Sequence, residues 1–280
     1  MRHPLDRKAP GGLTMAGTPS RRVWDNVEGW LLCEEGQALH DCVARACALR
    51  NSVTVVEIGA WKGRSTIALA SAIPEGNGGR VISIDPHVGS VESELLGTPN
   101  MSTLQPFLEN ITRAGVRDRV TLMQTSSLEA RRAFSEHSVD LVFVDGSHAY
   151  QDVVHDLASW QTALHSGGVM AINDWSMPEV WRAVTECVLP LRSPFGKVSV
   201  VQNTLFATLS GRRLERPVSS VIKLSIRIRT RLFGLPATWQ SSEREGKRFL
   251  RGVSDRSTLQ AGRPRSDGAA DASPNHDSNK

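Results

Sequence analysis

The chain has 280 residues, 40% hydrophobic and 22% charged, enough for one sizeable core with an appendage. Its four cysteines (Cys33, Cys42, Cys47, Cys187) show no CxxC spacing, which excludes a disulfide framework or a cysteine-rich zinc module and points to reduced thiols in a cytoplasmic setting. No stretch approaches the roughly 20 apolar residues of a spanning helix, and the first 20 residues lack the apolar centre of a secretory signal. The formal charge of +4 is uneven: residues 211–280 hold 15 Lys or Arg against 7 Asp or Glu, a net of +8, leaving −4 for residues 1–210. A nucleic-acid enzyme is expected to carry its positive field on the catalytic domain, so no nucleic-acid partner is expected here.

Residues 1–22 mix Pro, Gly, Arg and Ser without periodicity and read as a flexible segment. A helical face opens at Glu35 and runs through Leu39, Val43, Ala46 and Cys47 to about Arg50. Five short apolar runs follow, Val53–Ile58, Arg80–Ile84, Val120–Met123, Val139–Val144 and Val169–Ile172, and read as buried parallel strands. Helical patterns over Ser65–Ala72, Leu104–Ala114 and Tyr150–Leu164 separate them. In the last, Tyr150, Val153, Leu157, Trp160 and Leu164 fall on one stripe. This alternation predicts an α/β fold with a parallel sheet covered on both faces. Val198–Val201 and Leu205–Thr208, split by Gln202 and Asn203, predict a closing antiparallel hairpin, so the folded domain is expected over residues 23–210.

In the basic tail, 211–280, apolar and basic residues alternate from Ile222 to Leu232, as an added edge strand or a segment lying weakly on an anionic membrane or partner would. From Gly262 onward the composition predicts disorder.

Open parallel sheets bind ligands beyond the carboxyl ends of their strands. After the first strand comes VVEIGAWKGRSTIALA, residues 55–70. Gly59 and Gly63 suit a tight turn, and the helix beginning at Arg64 or Ser65 offers its N-terminus to a ligand. A dinucleotide loop needs GxGxxG, but Trp61 and Lys62 fill its middle. A P-loop needs GxxxxGK and Ser or Thr, and this loop is one residue short with Arg64 in place of the lysine. S-adenosylmethionine has no phosphate and carries an ammonium, so Glu57 beside the glycine loop suits it. The second strand ends at Asp85, 26 residues after Gly59, where a carboxylate can accept both hydroxyls of a ribose. An Asp that merely starts the turn before Pro86 is the bland alternative.

With RVISIDP, FLENITRAGVRDRVTL (107–122) and VDLVFVDGSHAYQDVVHDL through GGVMAINDW, these segments resemble class I S-adenosylmethionine-dependent methyltransferases, in the branch of the catechol-type and macrolide-sugar O-methyltransferases. The resemblance covers about Val23 to Leu209. It implies a Rossmann-like seven-stranded sheet, mostly parallel with an antiparallel last strand. It also implies Glu57 and Gly59 around the methionine part, Asp85 on the ribose, and Thr125 to Ser127 near the adenine. Ser126 stands where many relatives have an acid. His87 could stack on the adenine, or sit in the loop exposed.

Asp145 ends the fourth strand, and Asn173 and Asp174 end the fifth. Strands lie roughly 4.8 Å apart, so two carboxylates and an amide carbonyl could converge as a hard-oxygen set suited to Mg²⁺. Alternatively Asp145 caps its turn and Asp174 faces cofactor or water. His148, three residues after Asp145, is placed to take the proton of a substrate hydroxyl, or only to cap the next helix. The resemblance favours the first role. His155 and His165 read as solvated. Trp61 and Trp175 either wall the pocket or pack over the sheet ends, and the connection from Pro86 to Thr103 is long enough for a lid.

The expected activity is therefore Mg²⁺-assisted O-methylation of a small hydroxylated molecule such as a sugar, natural product or glycolipid. The competing readings are a catalytically silent binding protein recruited through its basic tail, and a metal-free N-methyltransferase or nucleic-acid methyltransferase. VDGS in place of an NPPY-type tetrapeptide weighs against methylation of base amines.

Overall fold

The computed structural model describes residues 22–89, 102–190 and 193–210. The expectations for the first 21 residues, for most of the connection after Pro86 and for the basic tail lie outside these residues. In chain order the elements are helix α1 (Cys33–Leu49), strand β1 (Thr54–Ile58), α2 (Arg64–Ser71), β2 (Arg80–Ile84), α3 (Leu104–Arg113), β3 (Val120–Met123), α4 (Ser127–Ala130), β4 (Val139–Val144), α5 (Tyr150–Trp160), β5 (Leu164–Ile172), α6 (Pro178–Cys187), β6 (Phe195–Val201) and β7 (Thr204–Leu209). Among the described residues no helix is long and apolar enough to cross a membrane.

The seven strands form one sheet in the order β3-β2-β1-β4-β5-β7-β6. The first five are parallel, and β7 runs antiparallel to both β5 and β6, so the antiparallel last strand is inserted between its neighbours. Successive strand residues face opposite sides. Val55, Leu141 and Phe143 pack with Leu39 and Val43 of α1, Ile67 and Leu69 of α2, and Phe107 and Ile111 of α3. Val56, Val142 and Val144 pack with Val153, Leu157 and Trp160 of α5 and with Val180 and Val184 of α6. Two apolar layers on one sheet explain why the strands are predominantly apolar on both faces.

Two boundaries differ from the sequence pattern. The stripe ending at Leu164 predicts helix to that point, but α5 stops at Trp160 and Leu164 opens β5. The strand expected over Val169–Ile172 begins five residues earlier, at Leu164, in a nine-residue strand whose pairing slips: Val139 faces Leu164 while Leu141 faces Val169. The slip takes up the two glycines as an irregularity rather than a break.

Register positions the chemistry. Ile84, Ile58, Val144 and Ile172 lie in one row across β2, β1, β4 and β5. Gly59, Asp85, Asp145 and Asn173 therefore leave the sheet along one edge. Each still donates one backbone N–H to the neighbouring strand: Gly59 to Ile84, Asp85 to Met123, Asp145 to Ile58 and Asn173 to Val144.

Candidate active site

The loop from Gly59 to Gly63 is shaped by two glycines that no other residue could replace without strain. Gly59 has φ +83°, and a Cβ there would lie 2.2 Å from the backbone oxygen of Asp145. Gly63 has φ +88° and caps α2 without a side-chain partner for the helix N–H groups. Trp61 between them also takes a left-handed backbone, φ 49°, which is costly for a bulky side chain.

The sequence around the N-terminus of α1 holds this loop down. Lys62 pairs with Glu28 at 2.7 Å, Arg64 Nη1 donates to the Val27 carbonyl at 2.9 Å, and the Trp61 ring lies 5.2 Å from that of Trp30. Trp61 thus packs on another aromatic ring at the edge of the loop. Glu28 and Trp30 carried no signal in the sequence, because they precede any periodic element.

Two acids expected to face the cofactor are committed elsewhere. Glu57, 0% exposed, accepts hydrogen bonds from Ser65 Oγ (2.5 Å), Thr66 Oγ1 (2.5 Å) and Ser83 Oγ (2.9 Å). Burial pushes its carboxyl up to about 7 against the pull of those three hydroxyls. Alternation along β1 turns Glu57 towards α2, so it locks strand to helix, and Ser65 is consumed in the same cluster. Asp85 takes the backbone N–H groups of Ala60 (2.8 Å), Trp61 (2.9 Å) and His87 (2.6 Å). A carboxylate has about four acceptor sites. Asp85 therefore fixes the glycine loop and keeps about one site for a ribose hydroxyl, rather than the two expected.

The adenine side changes similarly. Ser126 is the N-cap of α4, accepting from the Glu129 N–H and donating to Glu129 Oε2, so its hydroxyl is used within its own turn. His87 is not exposed: it is 2% accessible, its Nδ1 lies 2.8 Å from Thr103 Oγ1 and its ring packs 5.0 Å from that of Phe107. Trp175 is buried too, 5.6 Å from the Trp181 ring, and packs rather than walls a pocket. His165 accompanies Asp140 at 2.8 Å, near Arg50, at the other end of the sheet, so it is a partnered residue. His155 is exposed, as expected.

At the ends of β4 and β5, Asp145, His148 and Asp174 come together, with one ligand atom from each lying within 4.8 Å of the others. His148 Nε2 is 3.2 Å from Asp174 Oδ2. Asp174 takes a left-handed backbone, φ 50°, which a short polar residue tolerates and which turns its carboxylate back over the sheet edge. Asn173 does not join as an oxygen ligand. Its Nδ2 donates to Asp145 Oδ1 at 3.1 Å and its Oδ1 accepts from Thr204 Oγ1 at 2.9 Å. With a carboxylate on one side, the amide must present its N–H groups there.

A third acid was not legible in the sequence. Glu35 of α1 is buried, accepts the N–H groups of Leu32 (2.9 Å) and Asn203 (2.7 Å), and is pushed up to about 7 by burial, with Asp174 adding to the rise. Asp145 is also held well above the usual carboxylate range, first by loss of solvent and then by Asp174, while His148 and Asn173 pull it down. Clustered acids opposed by one imidazole are short of positive charge, and a divalent cation would supply it. The donor set thus fits a cation through Asp145 and Asp174, with water completing the shell. A groove of about 510 Å³ between α1 and the β6–β7 face, lined by Arg45, Arg50, Lys197 and Phe206, contains none of these residues.

Residues 56–175 match the sequence profile of the family described as "Methyltransferase domain". No curated protein matches the chain. Cofactor-bound Rv0187 from MTB is 18% identical with a TM-score of 0.50, over 65% of this chain and 82% of its own. A candidate O-methyltransferase from Klebsiella pneumoniae is 20% identical with a TM-score of 0.52, over 69% of this chain and 92% of its own. At these identities the likeness establishes the shared fold.

Proposed function

We propose that this chain, whose residues 56–175 match a methyltransferase-domain profile, uses S-adenosylmethionine to methylate a hydroxyl of a small molecule beside a divalent cation held by Asp145 and Asp174. The observation that carries this reading is the convergence of Asp145, His148 and Asp174 at the sheet edge, next to the loop that Asp85 fixes.

Bound on the Gly59–Gly63 loop and the open N-terminus of α2, S-adenosylmethionine supplies a methyl group on a positively charged sulfur. A cation between the two acids would supply the charge that makes an acceptor hydroxyl easier to deprotonate. The chain's own residues do the rest. Asp174 Oδ2 lies 3.2 Å from Nε2 of His148, and an imidazole that carries its proton on that nitrogen would present its lone pair on Nδ1. Nδ1 then takes the proton of the acceptor hydroxyl, and Asp174 stabilises the resulting imidazolium, as a carboxylate does for a paired histidine elsewhere. The acceptor oxygen would take the methyl carbon as its bond to sulfur breaks, leaving S-adenosylhomocysteine, and most of the acceleration would come from holding the reactants in that alignment.

A second reading has one specific observation in its favour. The His148 nitrogen lies within the same three-atom cluster, so it could ligate the cation itself. Two carboxylates and an imidazole suit Mn²⁺ or Zn²⁺ better than Mg²⁺.

The experiment is transfer of labelled methyl from S-adenosylmethionine to a panel of hydroxylated metabolites with Mg²⁺, Mn²⁺ or chelator. Asp145→Asn and Asp174→Asn should remove dependence on the ion. His148→Ala should lower turnover by roughly 100-fold or more while leaving cofactor affinity unchanged. Full activity in excess chelator would retire the cation, and transfer only to amines would support the N-methyltransferase. Cofactor uptake with no transfer to any acceptor would support the silent binding protein.

A further inference from the structure

Behind the acids lies a buried polar layer that neither the loop nor the base accounts for. It converges on the β6–β7 turn and the residue that opens β7, where Asn203 and Thr204 are both 0% exposed although turn residues such as Asn203 usually face water. Two arms leave this turn with the same chemistry. In one, Ser176 Oγ donates to Asn203 Oδ1 at 2.7 Å and Asn203 Nδ2 donates to Asp174 Oδ1. In the other, Thr204 Oγ1 donates to Asn173 Oδ1 at 2.9 Å and Asn173 Nδ2 donates to Asp145 Oδ1 at 3.1 Å. Each arm runs hydroxyl to amide to carboxylate: the carboxylate, an acceptor only, takes the amide N–H, the hydroxyl fills the amide oxygen that is left, and the amide so held fixes one carboxylate oxygen. Both arms stop on Oδ1. The second oxygen of each acid is left to other partners, and in Asp174 it is the one facing His148. The backbone N–H of Asn203 also binds Glu35 at 2.7 Å, tying the turn to α1.

We propose that the β6–β7 turn is the positioning element of the cation site, with Asn203 and Thr204 each fixing one acid so that its second oxygen is aimed at the ion. This rests on the reading that Asp145 and Asp174 hold a divalent cation. Chains of hydrogen bonds ending on a carboxylate reinforce one another, and partners of this kind set ligand orientation and hence metal affinity. Neither residue touches substrate; both act through the acids.

The test is Mn²⁺ binding to the full chain, read by electron paramagnetic resonance, with S-adenosylmethionine affinity measured by calorimetry on the same samples. Asn203→Ala and Thr204→Val should weaken Mn²⁺ binding by roughly 10- to 100-fold. Thr204→Ser, which keeps the hydroxyl, should stay within about threefold of the wild type, less than one lost hydrogen bond. Cofactor affinity should hold in all three. Val198→Ala, a core change in β6, serves as the control for lost stability. Wild-type Mn²⁺ affinity in Asn203→Ala and Thr204→Val would overturn the proposal and leave the cation reading standing. Equal loss in Val198→Ala would overturn it by assigning the effect to the fold. A wild-type chain that binds no Mn²⁺ would overturn the cation reading and this inference together.

Discussion

Replacing Glu57 by glutamine should make the protein more stable at pH 8 and leave it nearly unchanged at pH 5. Burial pushes this carboxyl up to about 7 from an ordinary 4.5, so the folded chain holds the proton more tightly than the unfolded chain. The stability that comes with that proton is fully present below about 4.5 and is lost as the pH rises through about 7. Each tenfold change in proton affinity is worth about 1.4 kcal/mol, so the loss amounts to roughly 3 kcal/mol. Glutamine imitates the protonated acid, and the hydroxyls of Ser65, Thr66 and Ser83 can rotate to accept from its amide. Urea unfolding of both proteins between pH 5 and 8, followed by circular dichroism, isolates the Glu57 contribution. Glu35, pushed up to about 7, and Asp156, pushed up to about 6, titrate in both proteins and cancel in the difference. A difference that stays constant with pH would refute the reasoning, since it would mean that the carboxyl does not titrate in this window.

Two further substitutions probe the loop. Gly59→Ala drives a methyl group to 2.2 Å from the Asp145 oxygen at a left-handed backbone position, and should cost about 3–5 kcal/mol of unfolding free energy in urea; a loss below about 1 kcal/mol would show that the two loops part easily. Asp85→Asn keeps the shape but sets an amide N–H against loop donors, so calorimetry should find S-adenosylmethionine binding weakened by roughly tenfold or more. Unchanged affinity would show that the loop needs no such anchor.

How much of the site is legible in the chain follows from how local each interaction is. Gly59 and Gly63 announce themselves because a left-handed turn after a strand selects glycine within five residues. Asp85, Asp145 and Asp174 announce themselves because each ends an apolar run, and in a parallel sheet all such ends share an edge. Their partners do not. Glu57 looks like a ligand, and only the α2 hydroxyls beside it show that its oxygens are already taken. Asn173 looks like a third ligand, and only its N–H bond to Asp145, with Thr204, 31 residues on, filling its oxygen, shows that its amide is already spent. Glu35 reads as the start of a helix, yet it meets Asn203 across 168 residues.

The sequence by itself determined the alternation of strands and helices, the closing antiparallel hairpin and the edge at which acids collect, because hydrophobic period and strand ends are properties of neighbouring residues. Only the tertiary structure decided which acids are spent on the fold and which converge with His148 at the sheet edge. A carboxylate has a fixed number of acceptor sites, and the hydroxyls and N–H groups that fill them come from α2, β2, the Gly59–Gly63 loop and the β6–β7 turn, segments that meet only once the sheet has formed.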